Sequence, residues 1–345
     1  MSYRKRIAID MMGGDFGPEV TVPAALQALE LDSDLHLRLV GDQHQIDEKL
    51  ASADPEIRKR LSLLHSNAVV LNEDKPTRVL RDKTDSSMYQ AVKQVQLGEA
   101  GACVSAGNTG ALLLSGRHLI KTIPGIDKPA IMATIPGATR NCYLLDVGAN
   151  VDCKAEQLFQ FAVMGSVLAE TLDGLHKATV ALLNIGVEDY KGNEQVQAAA
   201  ALLEASDSIN YVGFVEGSAV FEGSADVVVC DGFVGNVTIK TSAGVVRVIN
   251  EAFSEIMAIE TRDQFTAQAS AGLFEQLQQR INPSQYNGAS LLGLQGSIIK
   301  SHGNATVEGF TWAIERAAKE AENNVPGLIA EKVAQIVGVQ PGLQN

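Results

Sequence analysis

The fold class is indicated by a segment near the start of the chain, Arg6-Ile7-Ala8-Ile9-Asp10-Met11-Met12-Gly13-Gly14-Asp15-Phe16-Gly17-Pro18. A short apolar run ends in a glycine turn and helical composition begins at Pro18, so the segment predicts a strand, a tight turn and a helix. Glycines directly after a strand let backbone N–H groups approach an anion at the start of the next helix. A tight turn without a ligand is the alternative. Asp10 and Asp15 would repel an anion unless a cation or donor intervenes, so one of them could instead act as an orienting group.

The same alternation of short apolar runs and helical segments continues along the chain. Strands are predicted at Arg6–Asp10, Leu35–Val40, Ala102–Ser105, Ala130–Ile135, Cys142–Val147, Thr179–Ile185, Ile209–Val215 and Val227–Cys230. Helices are predicted at Pro18–Leu31, Gln43–Ala53, Ser86–Leu97, Lys154–Leu172 and Asn193–Ala205. This order predicts an α/β fold, a three-layer α/β/α sandwich with helices on both faces of a mainly parallel sheet. No linker divides the chain, so we expect residues 1–340 to form a single domain.

Residues 245–281 depart from the alternation and are predicted to form two helices in succession. The apolar stripe of the first helix contains Val248, Ile249, Ala252, Phe253, Ile256 and Met257, and that of the second contains Leu273, Phe274, Leu277 and Ile281. We therefore predict a protruding helical hairpin within the domain, whose stripe packs on a partner subunit. Packing within the chain and contact of the hairpin tip with a membrane are the alternatives.

Composition and missing motifs exclude several classes of function. Lys and Arg number 28 against 41 Asp and Glu, a net charge of −13, which argues against binding to nucleic acid or to an anionic membrane surface. The four cysteines form no Cys-x-x-Cys pair and no signal peptide is visible, so a reducing cytoplasm is the expected location. P-loop, serine hydrolase and zinc protease motifs do not occur, and we expect neither a metal nor a cofactor.

Three more loops with glycine and asparagine follow predicted strands, at Ser105–Gly110, Asp146–Asp152 and Asp231–Asn236. Ligands of parallel α/β sheets bind beyond the carboxyl ends of the strands, so we expect all four turns to meet at one edge and form an anion site. The candidate phosphate-binding residues in these turns are Gly13, Gly14, Gly107, Asn108, Thr109, Gly110, Asn150 and Gly235.

Charged groups near glycine turns are the candidate reactive groups. Lys191 follows another predicted strand, and Lys300, Ser301 and His302 lie together near the end of the chain. A solvated lysine and a capping or packed histidine are the alternatives at these positions. The segment Lys75–Lys83 carries four cationic residues against one Asp, so it could receive an acidic partner, and a solvated loop is its alternative.

Taken together, these motifs resemble the acyl-[acyl carrier protein]:phosphate acyltransferase family of bacterial phospholipid synthesis. The matching segments run in order over residues 5 to 335: Asp10–Asp15 with Pro18, Asp85–Met88, Ser105–Gly110, Leu145–Asn150, Asn184–Glu194, Ala225–Lys240 and Asn287–Gly303. The resemblance implies a fold similar to isopropylmalate dehydrogenases and phosphate acetyltransferases, and a homodimer with paired hairpins. It also implies transfer of a long-chain acyl group from acyl carrier protein to inorganic phosphate, giving acyl phosphate for a membrane glycerol-3-phosphate acyltransferase.

The residues suit that reaction. Phosphate is largely dianionic near neutral pH, so it can attack a thioester without a strong base once its charge is offset. We expect Lys191 and Asn236 to stabilise the tetrahedral intermediate and position phosphate, and His302 or Lys300 to assist the leaving thiolate. The family motif adds Ser87 to the phosphate-binding set.

Carrier protein and acyl chain need surfaces of their own. The acidic carrier protein is expected to bind Arg78, Arg81 and Lys83. The acyl chain needs an apolar groove, which Ile256, Met257, Ile259 and Phe265 of the hairpin could supply; these residues could instead touch the inner face of the cell membrane.

Two other functions stay open at this point. A phosphate acetyltransferase or dehydrogenase-like enzyme would use coenzyme A or NAD, although the glycine spacing is not Gly-x-Gly-x-x-Gly. A non-catalytic lipid or carrier-protein binding module would use the hairpin and would not depend on Lys191 or Asn236.

Overall fold

One eleven-stranded sheet organises the protein in a computed structural model that describes residues 5–137, 140–260 and 286–337, with backbone alone for 256–260 and 337. Its strands are β1 (Arg6–Asp10), β2 (His36–Gly41), β3 (Leu61–His65), β4 (Ala102–Ser105), β5 (Ala130–Ile135), β6 (Cys142–Leu145), β7 (Thr179–Leu183), β8 (Asn210–Val215), β9 (Val227–Val229), β10 (Ala289–Leu292) and β11 (Ser297–Lys300). Across the sheet they lie in the order β3-β2-β1-β4-β11-β10-β5-β6-β9-β7-β8.

Helices connect the strands and cover both faces of the sheet. They are α1 (Pro18–Leu31), α2 (Gln43–Leu50), α3 (Pro55–Arg58), α4 (Arg78–Arg81), α5 (Ser87–Gln96), α6 (Thr109–Leu119), α7 (Ala155–Asp173), α8 (Glu194–Glu204), α9 (Ala219–Glu222), α10 (Gly232–Glu260), α11 (Val307–Glu322) and α12 (Val325–Val337). None of these helices is both long and apolar enough to cross a membrane, within the described segments.

The strand direction reverses across the sheet. β1, β2, β3, β4 and β11 are parallel to one another. β10 is antiparallel to both β11 and β5, and β6 is antiparallel to β5. β6, β7, β8 and β9 are again mutually parallel, but they run opposite to the first group. The carboxyl ends of β1, β4 and β11 therefore lie at one edge of the sheet, the β1 edge, and those of β6, β7 and β9 lie at the opposite one, the β6 edge.

Alternating side chains of the strands pack into separate apolar clusters on the two faces. Ile7 and Ile9 of β1 face α1 and α11, where Phe310 is fully buried. Ala8 faces the other side and packs in the cluster that contains Met88 of α5. A third cluster, around Phe161 of α7, covers the second half of the sheet. Burying one such large side chain stabilises the fold by about 1.5–3 kcal/mol. Packing on both faces therefore fixes the positions of the strands, and with them the loops at the two edges of the sheet.

The predicted three-layer α/β architecture is confirmed, with β1, β4, β5 and α1 at their predicted bounds. The sequence did not predict β3, β10 and β11. The expectation that the four glycine turns meet at one edge is wrong, because the strand direction reverses between β11 and β6.

The predicted hairpin lies only partly within the described residues. Its first helix is the distal part of α10, which begins at Gly232 rather than near Val245, and Val248 and Ile249 are exposed there. Its second helix, with Leu273, Phe274, Leu277 and Ile281, lies outside the described residues, as do Phe265 and the side chains of Ile256, Met257 and Ile259. The acyl groove assigned to this hairpin stays a prediction.

Candidate functional site

Three loops meet at the β1 edge, and each follows a parallel strand. The Ser105 hydroxyl at the end of β4 donates a 2.7 Å hydrogen bond to Asp10 Oδ2 at the end of β1. The Asp15 N–H, after β1, donates a 2.8 Å hydrogen bond to the Gly303 carbonyl, after β11. The β1–α1, β4–α6 and β11–α11 loops therefore form one connected unit, which we call the glycine-loop cluster.

Glycines allow these loops to approach one another closely. A Cβ atom on Gly13 would lie 2.5 Å from Asp10 Oδ2 and 2.8 Å from the Gly107 nitrogen. Gly14 has a φ of +88°, and a Cβ there would lie 2.9 Å from the Gly303 carbonyl oxygen. The predicted phosphate-binding glycines of the first two turns thus lie side by side, and a larger residue would force the loops apart.

The amino terminus of α6 opens at the same edge. Asn108 caps the helix, with Oδ1 accepting a 3.0 Å hydrogen bond from the Ala111 N–H. The N–H groups of Thr109 and Gly110 have no protein acceptor in the part of the chain that the structure describes. Free N–H groups and the positive end of the helix dipole favour an anion. The Asn108 amide itself donates to the Asn72 carbonyl, 3.0 Å away, so it holds a neighbouring loop instead of pointing a free donor at a ligand.

Lys300 brings the positive charge into this cluster. It lies at the end of β11, and its Nζ donates a 3.2 Å hydrogen bond to the Ala106 carbonyl. Burial lowers the pKa of Lys300 to about 8, against the opposing effect of the Asp10 and Asp15 carboxylates. Partial removal from water and the Lys300 ammonium lower the pKa of the nearby His302. At neutral pH the cluster thus holds an ammonium and a mainly neutral imidazole.

Asp10, for which the sequence offered a role as an orienting group, lies in the site together with Ser105, for which it offered no individual role. Asp10 is 1% exposed and Ser105 is fully buried. Burial raises the pKa of Asp10, while hydrogen bonds from Ser105 and Ser87 oppose the rise. Ser87, predicted to bind phosphate, therefore contacts the Asp10 carboxyl group. An aspartate at the end of a short apolar run, just before a glycine turn, is the sequence signal that could have identified Asp10 as a residue of the site.

The basic segment Lys75–Lys83 is partly neutralised by an acid just before it. Asp74 is buried and accepts from Arg78 at 2.7 Å and from Lys83. Arg78 also pairs with Asp82 at 2.7 Å. The Lys83 ammonium is the largest cause that lowers the pKa of Asp74. Two of the three predicted carrier-protein contacts are therefore occupied by internal ion pairs.

The same segment nevertheless lies beside the glycine-loop cluster. A Cβ atom on Gly110, in the first turn of α6, would lie 2.7 Å from Pro76 Cγ. Arg81 and Lys75 are exposed and form no ion pair within the described ranges. These two cations remain available to an acidic partner next to the anion site.

The turns at the β6 edge are closed around a buried acid. Asp146 accepts hydrogen bonds from the Ile131 N–H and from those of residues 148–150. The Asn150 amide donates to Asp146 Oδ2 at 2.9 Å. A Cβ atom on Gly235 would lie 1.9 Å from the Asp146 carbonyl oxygen. Asn150 and Gly235 were predicted to bind phosphate, but internal hydrogen bonding and close packing account for both residues.

Lys191 and Asn236 also lie at the β6 edge. Lys191 Nζ pairs with Glu188 Oε2 at 2.9 Å. A Cβ atom on Gly148 would lie 3.6 Å from Asn236 Cγ, so Asn236 packs beside that turn. The predicted catalytic group of Lys191, Asn236 and His302 is therefore not brought together within one chain, because His302 lies at the β1 edge.

Comparisons with known proteins agree on a family and a fold. A family model described as "Fatty acid synthesis protein" matches residues 5–328. A phosphate acyltransferase of Shewanella sp. (strain W3-18-1) is 48% identical over 332 residues, covering 96% of this chain and 97% of its own length. One from Halorhodospira halophila (strain DSM 244 / SL1) is 49% identical over 346 residues, covering 99% and 100%.

Solved structures with the same fold include two phosphotransacetylases. The one from Streptococcus pyogenes has a TM-score of 0.61 at 17% identity, covering 92% of this chain and 94% of its own. The EutD phosphotransacetylase from Staphylococcus aureus has a TM-score of 0.58, with the same identity and coverages. These likenesses confirm the phosphate acetyltransferase-like fold that the sequence resemblance implied.

Proposed function

Because this chain belongs to the phosphate acyltransferase family, we propose that it transfers a long-chain fatty acyl group from acyl carrier protein to inorganic phosphate. The product would be an acyl phosphate. The observation that carries the proposal is the glycine-loop cluster, where the Lys300 ammonium and the first N–H groups of α6, which have no acceptor among the described residues, lie at one edge of the sheet.

Phosphate would bind between the glycine turns and the amino terminus of α6. Gly13, Gly14 and Gly107 give an anion access to backbone donors, and among the described residues nothing accepts from the Thr109 and Gly110 N–H groups, which can receive it. The charge of Lys300 offsets the dianion, which would otherwise be repelled by the nearby carboxylates.

The chemistry is nucleophilic acyl substitution. A phosphate oxygen forms a bond to the thioester carbonyl carbon, the C–S bond breaks, and the proton of hydrogen phosphate ends on the leaving sulfur. A group that relays this proton works best when its pKa lies near that of the thiol, about 8.5. Lys300, with a pKa lowered to about 8, meets this requirement, and His302 lies beside it as the second candidate.

The carrier protein would dock beside the cluster. Arg81 and Lys75, which form no ion pair with any residue that the structure describes, offer their charge to an acidic partner, whereas Arg78 and Lys83 contribute mainly through the fold of the segment. We propose a cytoplasmic homodimer whose hairpin pairs with that of the second copy, and whose product is taken up by a membrane glycerol-3-phosphate acyltransferase at the inner face of the cell membrane.

Lys191 and Asn236 keep their proposed roles only in the dimer. In one chain they lie at the opposite edge from Lys300, so they could reach the reacting atoms only at the site of a second copy.

Release of free thiol from palmitoyl-acyl carrier protein, with and without phosphate, tests the proposal. Phosphate-dependent release with a product that hydroxylamine converts to a hydroxamate is the expected result. Release that does not need phosphate would indicate a thioesterase, and no release would indicate a binding module. Thermal stabilisation by coenzyme A or NAD, which we expect to be small, would favour the alternative enzymes.

A further inference from the structure

A cleft of about 330 Å³ opens between α11 and the end of α7, at the β1 edge of the sheet. Aromatic side chains of Trp312, Tyr143 and Tyr286 and polar side chains such as Asn141 and Thr134 line it. None of these residues has a part in the proposed reaction. The volume is in the range of pockets that hold a small organic ligand.

The charges in the cleft are already balanced by the protein. Arg316 Nε pairs with Glu320 Oε1 at 2.9 Å, and Glu320 is 1% exposed. The Arg316 guanidinium lies 5.5 Å from the centre of the Tyr143 ring, and the Tyr143 hydroxyl donates a 3.0 Å hydrogen bond to Asp173. Lys319 and Glu315 add one charge of each sign to the lining, so the described lining carries no net positive charge to hold an anion. Its polar walls make the cleft unfavourable for an alkyl chain.

One residue connects the cleft to the glycine-loop cluster. Asn287 lines the cleft, and its amide donates a 2.8 Å hydrogen bond to Ser301 Oγ. Its side-chain oxygen accepts a 3.0 Å hydrogen bond from the His302 N–H. A ligand in the cleft therefore lies against the backbone that positions Lys300 and His302.

We propose that this cleft holds the pantetheine arm of the acyl carrier protein, an inference that rests on the proposed function. The arm is neutral and flexible, with two amides, a hydroxyl and a dimethyl group. Its amides need donors and acceptors such as Asn141, its methyl groups can pack on Trp312, and its thioester end extends toward Asn287 and the catalytic loop. This occupant uses the mixture of aromatic and uncharged polar groups that the cleft presents.

Trp312 provides a direct test because it is the single tryptophan of the sequence. Titration of the full-length protein with reduced pantetheine should give a saturable change in tryptophan emission. Asn141→Ala should weaken the fitted Kd roughly three- to tenfold, as expected for one lost hydrogen bond. Phe221→Ala should leave the Kd unchanged; Phe221 is 37% exposed, like Trp312, and does not line the cleft.

The proposal is overturned if pantetheine gives no saturable change in tryptophan emission, or if wild type and Asn141→Ala have equal Kd values for pantetheine. If palmitate gives a saturable change in tryptophan emission and pantetheine does not, the proposal is wrong and the cleft is assigned to the acyl chain. The proposed function fails separately, if the wild-type protein binds pantetheine but forms no acyl phosphate. Conversely, acyl phosphate formation without any emission change with pantetheine would reject the cleft alone.

Kinetics with thioester donors gives a second readout. Trp312→Ala should raise the KM for palmitoyl-pantetheine, while kcat/KM for the palmitoyl thioester of N-acetylcysteamine, which lacks most of the arm, should stay within about twofold of wild type. Equal losses with both donors would mean that the substitution disturbs the fold or the reaction in general, and would contradict a role in holding the arm.

Discussion

The Ser105 hydroxyl donates a 2.7 Å hydrogen bond to Asp10 Oδ2, and this buried contact joins the ends of two adjacent parallel strands. Asp10 also acts on Lys300, since its carboxylate raises the lysine pKa against the effect of burial. The contact therefore links the geometry of the loops to the charge of the site.

Asp10→Asn should move the alkaline limb of the kcat/KM profile to lower pH. The substitution removes a charge that favours the ammonium, so the pKa of Lys300 falls below about 8 and the protonated form is lost earlier as the pH rises. The initial rate of acyl phosphate formation, measured from pH 6 to 9.5, checks this. An alkaline limb at the wild-type position would show that another group sets it.

Lys300→Met should lower turnover by about 10²–10³-fold, the usual cost of losing one donor that stabilises charge in the reaction. Folding should be retained, because burying an ammonium group costs free energy, whereas the apolar side chain of a methionine, which has a similar length, can be buried without that cost. Hydroxamate formation and thermal unfolding, measured on the same samples, check both parts. Lys128→Met is the matched control, and a rate for Lys300→Met within threefold of that control would exclude Lys300 from the reaction.

Local patterns predicted β1, β4, β5 and α1 at their observed bounds, because the three strands are short apolar runs and α1 begins at a proline after a glycine turn. The place of β10 between β11 and β5 could not be predicted, because it depends on which distant strands pair. The antiparallel pairing of β5 with β6 is why Lys191 and His302, both after strands, lie at opposite edges.

Similar loops also proved to differ in ways that composition does not reveal. Ser105–Gly110 contains N–H groups that find no acceptor in the described segments, whereas the N–H groups of the turn after β6 donate to its own Asp146 carboxylate. In the basic segment, a charge count from Lys75 to Lys83 omits Asp74, the adjacent acid that pairs with Arg78 and Lys83. Burial decides these cases, and burial depends on the whole fold.

Asp74→Asn should destabilise the protein at neutral pH and have less effect in acid. The pKa of Asp74 is lowered in the folded state, so its contribution to stability is complete well above its ordinary value of 3.8 and is lost as the pH falls through the lower folded-state value. Thermal midpoints of both proteins between pH 3 and 8 check this. A difference in midpoint that stays constant over the range would rule out the ion pairs as its source.

Arg81→Glu should lower kcat/KM for palmitoyl-acyl carrier protein roughly tenfold at low salt, because it places a negative charge where an acidic partner docks. The loss in kcat/KM should become smaller at higher salt, because salt screens the repulsion between the introduced carboxylate and the acidic carrier protein. The rate with a palmitoyl-pantetheine donor should not change. Arg58→Glu, an exposed cation distant from the β1 edge, is the control. An equal loss with both donors would indicate damage to the site instead of lost docking.

Lys191→Ala should lower turnover while the protein stays folded, if its edge of the sheet completes the site of a second copy. Lys300→Met and Lys191→Ala should then each be inactive alone, but a mixed dimer of the two should contain one site that has both lysines. Refolding or coexpressing the two variants together, with distinct tags to isolate mixed dimers, should restore activity to about half that of wild type. Restoration distinguishes a shared site from two independent defects, because a chain that must supply both residues itself gains nothing from its partner. Mixed dimers that stay inactive, or a Lys191→Ala variant as active as wild type, would confine the reaction to the β1 edge of one chain.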